Sequence, residues 1–350
     1  MSTIEHNRNE EGSAPSLHDP LVYGFTEAIE QRYPLSILET LLKDMTTGRN
    51  IIWADNEYEI LGKNYMGDDE ITIDLITGLR SGVIKPRIAK EREQQSLRTR
   101  NRAEVFTPSW LCNQMNNHFD KEWFGREDVF NIELRRDWKP NSKKVEFPEA
   151  EGRGWTHYVT CPRLEITCGE APFICSRYDT VTGAALPVES RIGFLDRKLR
   201  IVSENTETYD EWIDWAFRAL KSTYGYEYQG DNLIIARINV LETFVDHAKH
   251  RWKISPSLDE VEHAAHIISW NLWQMDGLSG AVPLDQPVPA DQTAFPDLCT
   301  FRQEVTQPTL FDLFEDESKT KPKEVIPLCV IYDWEEDMPK TYVSLRDERV

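Results

Sequence analysis

Two short segments, far apart along the chain, constrain the fold more than any other feature of the sequence. Residues 164–169 form an apolar run that ends in the tight turn Cys168-Gly169, and the segment Gly225-Tyr226-Glu227 ends in a carboxylate. A glycine in a turn lets the backbone approach a ligand closely, and a carboxylate at a strand end can hold two ribose hydroxyls. This order predicts a site for a nucleoside-containing cofactor where the turn faces Glu227.

Helical and strand patterns alternate between residues 109 and 276. An amphipathic helix is predicted over 110–123 with Ser109 as its N-cap, and capping boxes at Thr208 and Ser257 predict two more helix starts. Strands are predicted over 163–167 and 226–228, whereas residues 264–276 fit either a continuing helix or a new strand. The alternation predicts an α/β fold with at least partly parallel strands.

The chain divides into four predicted parts. Residues 1–19 are predicted to be a flexible tail, and residues 20–100 an N-terminal α+β module with a helix from Leu35 and a short buried strand over 50–54. Residues 101–280 form the predicted cofactor-binding domain, with a surface insertion over 126–155. Residues 281–350 form a C-terminal segment, with a Pro-rich linker and a strand over 325–334.

The net charge of −20 opposes indiscriminate binding to nucleic acid, because phosphate is repelled at long range. The charge is uneven, however, and the stretch from Arg80 to Arg102 is predominantly basic. Such a strip can contact one particular DNA backbone, and a solvated helix face with salt bridges explains it equally well. The candidate DNA-binding residues are Arg87, Lys90, Arg98, Arg100 and Arg102.

Several other classes of protein have little support in the sequence. The six cysteines include no C-x-x-C pair, so no metal site is expected. No apolar run is long enough for a membrane span, and the start of the chain does not resemble a signal peptide, so we expect a cytoplasmic protein. No H-E-x-x-H pattern or nuclease-like carboxylate–lysine pattern suggests a hydrolase.

The segments around Pro108, Cys168 and Glu227 resemble the cofactor-side motifs of γ-class N6-adenine DNA methyltransferases. The whole chain is similar to short bacterial proteins labelled "restriction endonuclease subunit M". The resemblance implies a Rossmann-like S-adenosylmethionine methyltransferase core, complete or incomplete, with the N-terminal α+β module added. It also implies a DNA (adenine-N6) methyltransferase-type subunit of a restriction–modification or phage-defence system, with DNA and a second methyltransferase or restriction subunit as partners.

The family's motifs assign roles to individual residues of this chain. Its Phe-Thr-Pro segment, which lies against the methionine part of the cofactor, corresponds to residues 106–108, and its Cys-Gly turn to residues 165–173. The turn departs from the family pattern, which has Asp at Glu165, Pro at Ile166 and Gly at Ala171. Glu227 would hold the ribose, with an ordinary strand-end carboxylate as the alternative, and Asn271 or Asp276 would contact the adenine. The implied cofactor-binding residues are Phe106, Thr107, Pro108, Glu165, Thr167, Cys168, Gly169, Phe173, Glu227, Asn271 and Asp276.

The family's target-base motif, Asn-Pro-Pro-Tyr, has no counterpart here, since the sequence contains no Pro-Pro dipeptide. In the family this motif accepts hydrogen bonds from the adenine amino group and stacks on the flipped base. Three explanations stay open: a partner chain completes the site, the protein binds cofactor and DNA without methylating, or other residues act. The catalytic residues are therefore unknown at this point.

The segment Gln307-Pro308-Thr309-Leu310-Phe311 resembles the pentapeptide with which bacterial proteins bind the DNA sliding clamp. It is predicted to be exposed, because its surroundings are acidic and Pro-flanked, and exposed Leu and Phe need a partner or a packing site. The candidate clamp-binding residues are Gln307, Leu310 and Phe311. Packing of the segment on the protein's own core is the alternative.

Overall fold

A computed structural model of the chain describes residues 25–90, 98, 107–284, 286–289, 293–298 and 324–347. The fold is mixed α/β. The α-helices are α1 (Phe25–Arg32), α2 (Leu35–Leu42), α3 (Ile73–Ile76), α4 (Ser109–Phe124), α5 (Trp155–Thr160), α6 (Phe194–Asn205), α7 (Tyr209–Lys221), α8 (Gly230–Trp252), α9 (Leu258–Asn271) and α10 (Tyr342–Asp347). The strands are β1 (Asn131–Glu133), β2 (Trp138–Pro140), β3 (Arg163–Glu165), β4 (Thr223–Glu227), β5 (Leu272–Gln274), β6 (Val288–Pro289), β7 (Glu324–Val325), β8 (Val330–Asp333) and β9 (Met338–Thr341).

A three-stranded parallel sheet lies at the centre, with β4 between β3 and β5. Glu165 pairs with Gly225 across the first pair of strands, and Glu227 pairs with Gln274 across the second. Helices α6 and α7 connect β3 to β4, while α8 and α9 connect β4 to β5. Parallel neighbours need such long crossovers, so the predicted α/β class with parallel strands is confirmed.

Local sequence signals explain where the central helices begin. The Thr208 hydroxyl accepts a hydrogen bond from the Glu211 N–H at the start of α7. Ser257 and Glu260 form the complete capping box that opens α9. Each bond satisfies a backbone donor that the first helical turn leaves without an intrahelical partner. Both predicted helix starts are confirmed.

Other predicted boundaries shift for reasons that are not local. Helix α4 begins at Ser109, so Ser109 is the first helical residue and not the N-cap. The backbone N–H of Ser109 donates a hydrogen bond to the Asp179 carboxylate at 2.8 Å. Helix α9 continues to Asn271, and β5 begins at the next residue, so each interpretation of residues 264–276 is correct for part of the segment. The predicted C-terminal strand is divided into β7 and β8.

The predicted N-terminal module shares one hydrophobic core with the sheet and its helices. Its residues Leu38 and Leu41 are completely buried in the same cluster as Phe244 of α8. The predicted strand over 50–54 is reduced to single bridges, one of which joins Ile52 to Glu70. Its contact with the sheet is instead made by Gln274, whose side chain hydrogen-bonds both the N–H and the carbonyl of Ile52.

The predicted surface insertion over 126–155 contains the antiparallel pair β1–β2. Phe130 and Val145 from this segment are buried in the main core, where the Phe130 ring lies 5.9 Å from the ring of Tyr158. Part of the insertion therefore contributes to the core.

Among the described helices, none combines the length and the apolar composition that crossing a membrane requires.

We expect Gly230→Ala to weaken the fold, because Gly230 is where α8 meets the N-terminal module. A Cβ atom there would lie far inside van der Waals contact with the Ile52 carbonyl oxygen and 2.8 Å from Ile71 Cδ1. The cost should be at least about 2 kcal/mol of unfolding free energy, as for other overpacked sites. Urea unfolding measures it, with the exposed Lys249→Ala of the same helix as a control that changes stability by less than about 0.5 kcal/mol. An unchanged midpoint for Gly230→Ala would contradict this account.

Candidate functional site

The Cys-Gly turn and the strand end at Glu227 meet at the carboxyl edge of the parallel sheet. The chain leaves β3 at Glu165, and the Cys168 N–H then donates to the Tyr226 carbonyl at 2.8 Å. The next N–H in the turn, that of Gly169, donates to Glu227 Oε2, also at 2.8 Å. We call residues 166–172 the bend. The sequence segments that predicted a common site are therefore brought together by direct hydrogen bonds.

The backbone of the bend alternates into the left-handed region. The φ angles of Thr167, Gly169 and Ala171 are +48°, +54° and +66°. Glycine adopts such angles freely, but for a β-branched residue such as Thr167 they are unfavourable. Strained backbone costs about 1–3 kcal/mol per residue and occurs mostly at functional sites. The conformation of Thr167 therefore supports a ligand-binding role for the bend.

Close packing explains why glycine precedes Tyr226 and Glu227 in β4. A Cβ atom at Gly225 would lie 3.0 Å from Ile174 Cδ1 and 3.4 Å from Cys168 Sγ. A larger residue at Gly225 would press first on Ile174, whereas 3.4 Å is an ordinary contact distance to Cys168. Gly225 thus lets Ile174 and Cys168 pack directly against β4.

The Glu227 carboxylate is the central polar group of the site. It is 7% exposed, and besides the Gly169 N–H it accepts the N–H of Gln229 at 3.2 Å. A carboxylate has about four lone-pair positions and can accept several hydrogen bonds at once. The strand-end position, the fixed orientation and the adjoining glycine fit a group that carries a ribose diol.

Glu165 has a different role, since its carboxyl group is turned into the protein. It accepts the Ile174 N–H at 3.0 Å and the Phe173 N–H at 3.3 Å. Burial raises the pKa of Glu165 well above its usual value, the two N–H groups oppose that rise, and the nearby Glu227 adds to it. Glu165 therefore fastens Phe173 and Ile174, which follow the bend, to strand β3.

The Cys168 thiol is not a nucleophile in this arrangement. Its side chain is 1% exposed, and burial, with further contributions from Glu165 and Glu227, raises the pKa of the thiol well above its usual value. A buried, protonated thiol is chemically inert. The bend can therefore bind and orient a ligand, but it offers no covalent chemistry.

Thr107 and Pro108 lie at the start of α4, close to the loop that contains Asp179. The Thr107 carbonyl accepts a hydrogen bond from the Thr180 hydroxyl at 3.1 Å. Cys112 lies one turn into α4. Burial raises the pKa of its thiol, and the charge of Glu165 raises that pKa further. The beginning of α4 therefore lies near Glu165. Phe106, the third residue of the predicted segment, lies outside the described residues.

Glu170 also holds the bend in place, a role that no pattern in the sequence indicated. Its carboxylate accepts the backbone N–H of Arg87 at 2.6 Å and the Tyr178 hydroxyl at 2.7 Å. Its carbonyl accepts a hydrogen bond from the Asn239 side chain in α8 at 3.0 Å. Arg87 and Asn239 lie far from Glu170 along the chain, so no local pattern could identify these two partners.

The two candidates for adenine contact lie at opposite ends of the sheet. Asp276 follows β5 at the carboxyl end, but its carboxylate accepts the N–H of Leu278 and the hydroxyl of Ser279, both at 2.9 Å. Asn271 precedes β5, at the amino end, and donates to the Thr223 carbonyl at 3.1 Å. The expectation that Asn271 contacts a cofactor beside Glu227 is corrected by this placement.

Two residues of the basic strip are internal. Arg98 is 2% exposed, and Lys90 has a side-chain exposure of 6%. Both pair with the buried Asp231 carboxylate, Lys90 at 2.9 Å and Arg98 at 3.0 Å, and Arg98 also pairs with Glu57. The expectation that Lys90 and Arg98 bind DNA is therefore corrected, because their charges are used inside the fold.

The other basic and apolar candidates give less information. Arg87 is half-buried, and Arg100 and Arg102 lie outside the described residues, as does the segment with Gln307, Leu310 and Phe311. Within the described part of the chain, no cluster of His, Cys, Asp and Glu could hold a metal ion.

Comparisons with family models, with curated proteins and with solved structures found no match to this chain.

Replacing Asp231 by Asn should destabilise the protein by about 3 kcal/mol at pH 7, because two buried cations would lose a partner. Burial alone would raise the pKa of Asp231, but Lys90 and Arg98 outweigh it and lower the pKa. A lowered folded-state pKa means that the stabilisation is complete above about pH 4, the usual Asp value, and is lost as the pH falls.

Urea unfolding between pH 7 and pH 3 checks this prediction. The difference between wild type and Asp231→Asn should shrink as the pH falls, while the exposed Asp214→Asn of α7 should stay within about 0.5 kcal/mol of wild type. A difference that does not change with pH would show that the ion pairs with Asp231 are not its source.

Proposed function

We propose that the chain is an S-adenosylmethionine-dependent DNA (adenine-N6) methyltransferase-type subunit of a cytoplasmic restriction–modification or phage-defence system. The observation that carries the proposal is the hydrogen bond from the Gly169 N–H to the Glu227 carboxylate. It joins a left-handed glycine turn to a strand-end acid on the neighbouring parallel strand. Nucleoside-containing ligands commonly bind at such an edge of an α/β sheet.

The residues of the site fit the chemical groups of this cofactor. Glu227 would accept hydrogen bonds from the two ribose hydroxyls, and the bend around Gly169 would let the ligand approach the backbone closely. Glu165 would act indirectly, by holding Phe173 and the end of the bend in place. S-adenosylmethionine would supply an activated methyl group, so the protein needs to provide orientation and electrostatics without a covalent enzyme intermediate.

A second candidate function is that of a non-catalytic component that retains the cofactor-binding half of the fold for assembly or sensing. Two observations favour it. The sequence lacks an Asn-Pro-Pro-Tyr motif, and among the described strands nothing pairs with the outer edge of β3. A partner chain that supplies further strands and the target-base motif would reconcile the two candidates.

DNA and clamp binding are the further parts of this proposal. Once Lys90 and Arg98 are assigned to the interior, Arg87, Arg100 and Arg102 are the residues of the basic strip that we propose for DNA contact. Gln307, Leu310 and Phe311 would bring the protein to a DNA sliding clamp. The net charge of −20 requires such contacts to be local, since the protein as a whole repels phosphate.

Isothermal titration calorimetry with S-adenosylmethionine tests the cofactor site. We expect wild type to bind and Glu227→Gln to bind roughly ten- to a hundredfold more weakly, because the hydrogen bonds to a charged group are lost. The exposed Glu149→Gln removes the same charge far from the bend and should bind like wild type. No heat of binding at millimolar ligand, or equal affinities for wild type and Glu227→Gln, would refute the assignment.

Methylation of an adenine-containing plasmid separates the two candidate functions. The methyltransferase-type subunit should form N6-methyladenine, alone or together with the product of a neighbouring gene, and Glu227→Gln should reduce the yield by at least about tenfold. If neither mixture forms N6-methyladenine although the chain binds S-adenosylmethionine, the non-catalytic function is the correct one.

A further inference from the structure

A cavity lies on the face of the parallel sheet opposite to Glu165 and Gly225. Side chains alternate between the two faces of a strand, so Leu164 and Tyr224, which pair in register, point away from the bend, as does Trp273. The hairpin β8–β9 and helix α10 lie over this face and leave a cavity of about 720 Å³. Small-molecule sites typically measure about 300–1,000 Å³.

The cavity is at the amino end of the sheet, away from Glu227. It is lined there by Pro162, which precedes β3, and by Ser222, which precedes β4. Glu227 is instead the last residue of β4. The cavity is therefore separate from the proposed cofactor site, and its function does not depend on that proposal.

Five of the residues that line its walls are aromatic: Tyr224, Trp273, Tyr332, Trp334 and Tyr342. Hydrogen bonds and ring contacts fix several of these side chains. The Trp334 indole N–H donates to Asn271 Oδ1 at 2.8 Å, and the amide of Asn271 is held in turn by backbone carbonyls of α7 and β4. At another part of the wall, the rings of Trp273 and Tyr342 lie 5.4 Å apart. Rigid aromatic walls of this kind favour a planar ring as the ligand.

Two cations of α7 line the same cavity. The Arg218 guanidinium lies 4.6 Å from the Trp215 ring centroid, and the Lys221 ammonium lies 4.9 Å from that of Trp334. Within the described part of the chain, neither side chain makes an ion pair. Cations without a carboxylate partner beside an aromatic wall favour a ligand that carries a negative charge.

The acidic residues of the cavity reduce this preference only in part. Asp333 is paired with Lys340 at 2.9 Å, and this hydrogen bond lowers the pKa of Asp333. Glu335 is exposed at the rim. The Glu335 carboxylate would repel an anion that approaches Lys221. Removing the charge of Glu335 should therefore tighten anion binding, whereas removing the charges of Arg218 and Lys221 should weaken it.

We propose that this cavity binds a planar aromatic ring that carries one anionic group, such as a purine nucleoside monophosphate. The ring would stack between the aromatic walls, and the anion would contact Lys221 and Arg218. An aromatic carboxylate shares this chemistry with the nucleotide. The same arrangement would bind a neutral nucleoside more weakly, because the two cations would lose their partner.

Calorimetric titrations with adenosine 5′-monophosphate, adenosine and indole-3-acetate test the proposal on the full chain. We expect at least one of the two anions to bind at least about tenfold more tightly than adenosine, as the loss of a charge-assisted contact predicts, and the tighter of the two identifies the source of the anion. The double variant Arg218→Gln/Lys221→Gln should abolish this preference. Glu335→Gln should tighten anion binding, and Lys139→Gln, on β2, should leave it unchanged.

Fluorine NMR of protein labelled with 5-fluorotryptophan locates the site. Addition of the anion should shift the resonance assigned through Trp334→Phe, and Glu227→Gln should leave the affinity unchanged. The proposal is overturned if neither anion binds at millimolar concentration, if both bind no more tightly than adenosine, or if the double variant keeps wild-type affinity. Loss of binding in Glu227→Gln, with the Trp334 resonance unmoved, would place the ligand at the bend and overturn it equally.

Discussion

One hydrogen bond, from the Gly169 N–H to the Glu227 carboxylate, holds the candidate site together. It can form because β3 and β4 are adjacent and parallel, so that their carboxyl ends reach the same edge of the sheet. Gly225 permits the close approach, and Glu165 and Glu170 fix the bend from its two other sides. The geometry of the edge is thus set by backbone donors and buried carboxyl groups.

Buried polar side chains also join the N-terminal segment to the sheet. The Arg237 guanidinium donates to the Leu41 carbonyl at 2.6 Å and to the Leu272 carbonyl, while Asp231 pairs with Lys90 and Arg98. Burying such groups is costly unless every one of them is paired, and here their pairing specifies how the two parts pack. Several charges that suggested surface binding in the sequence are therefore used for assembly of the fold.

The sequence predicted the features that depend on local signals. Capping residues such as Ser257 identified the helices, and the Cys168 and Glu227 motifs identified the strand ends that meet. The sequence could not predict pairings between distant residues, such as Glu170 with the backbone of Arg87. Asn271 shows the limit most clearly, because the family resemblance implied a ligand contact for it, yet its position at the amino end of β5 makes it a support for Trp334.

Hydrogen exchange with and without S-adenosylmethionine locates the ligand on the chain, and so decides whether the bend binds it. We predict slower exchange in peptides that contain the bend and in those that contain Glu227, with no change in peptides from β8 to α10. Slower exchange confined to β8, β9 and α10, or no change anywhere at a ligand concentration that saturates binding, would contradict the assignment of the bend as the cofactor site.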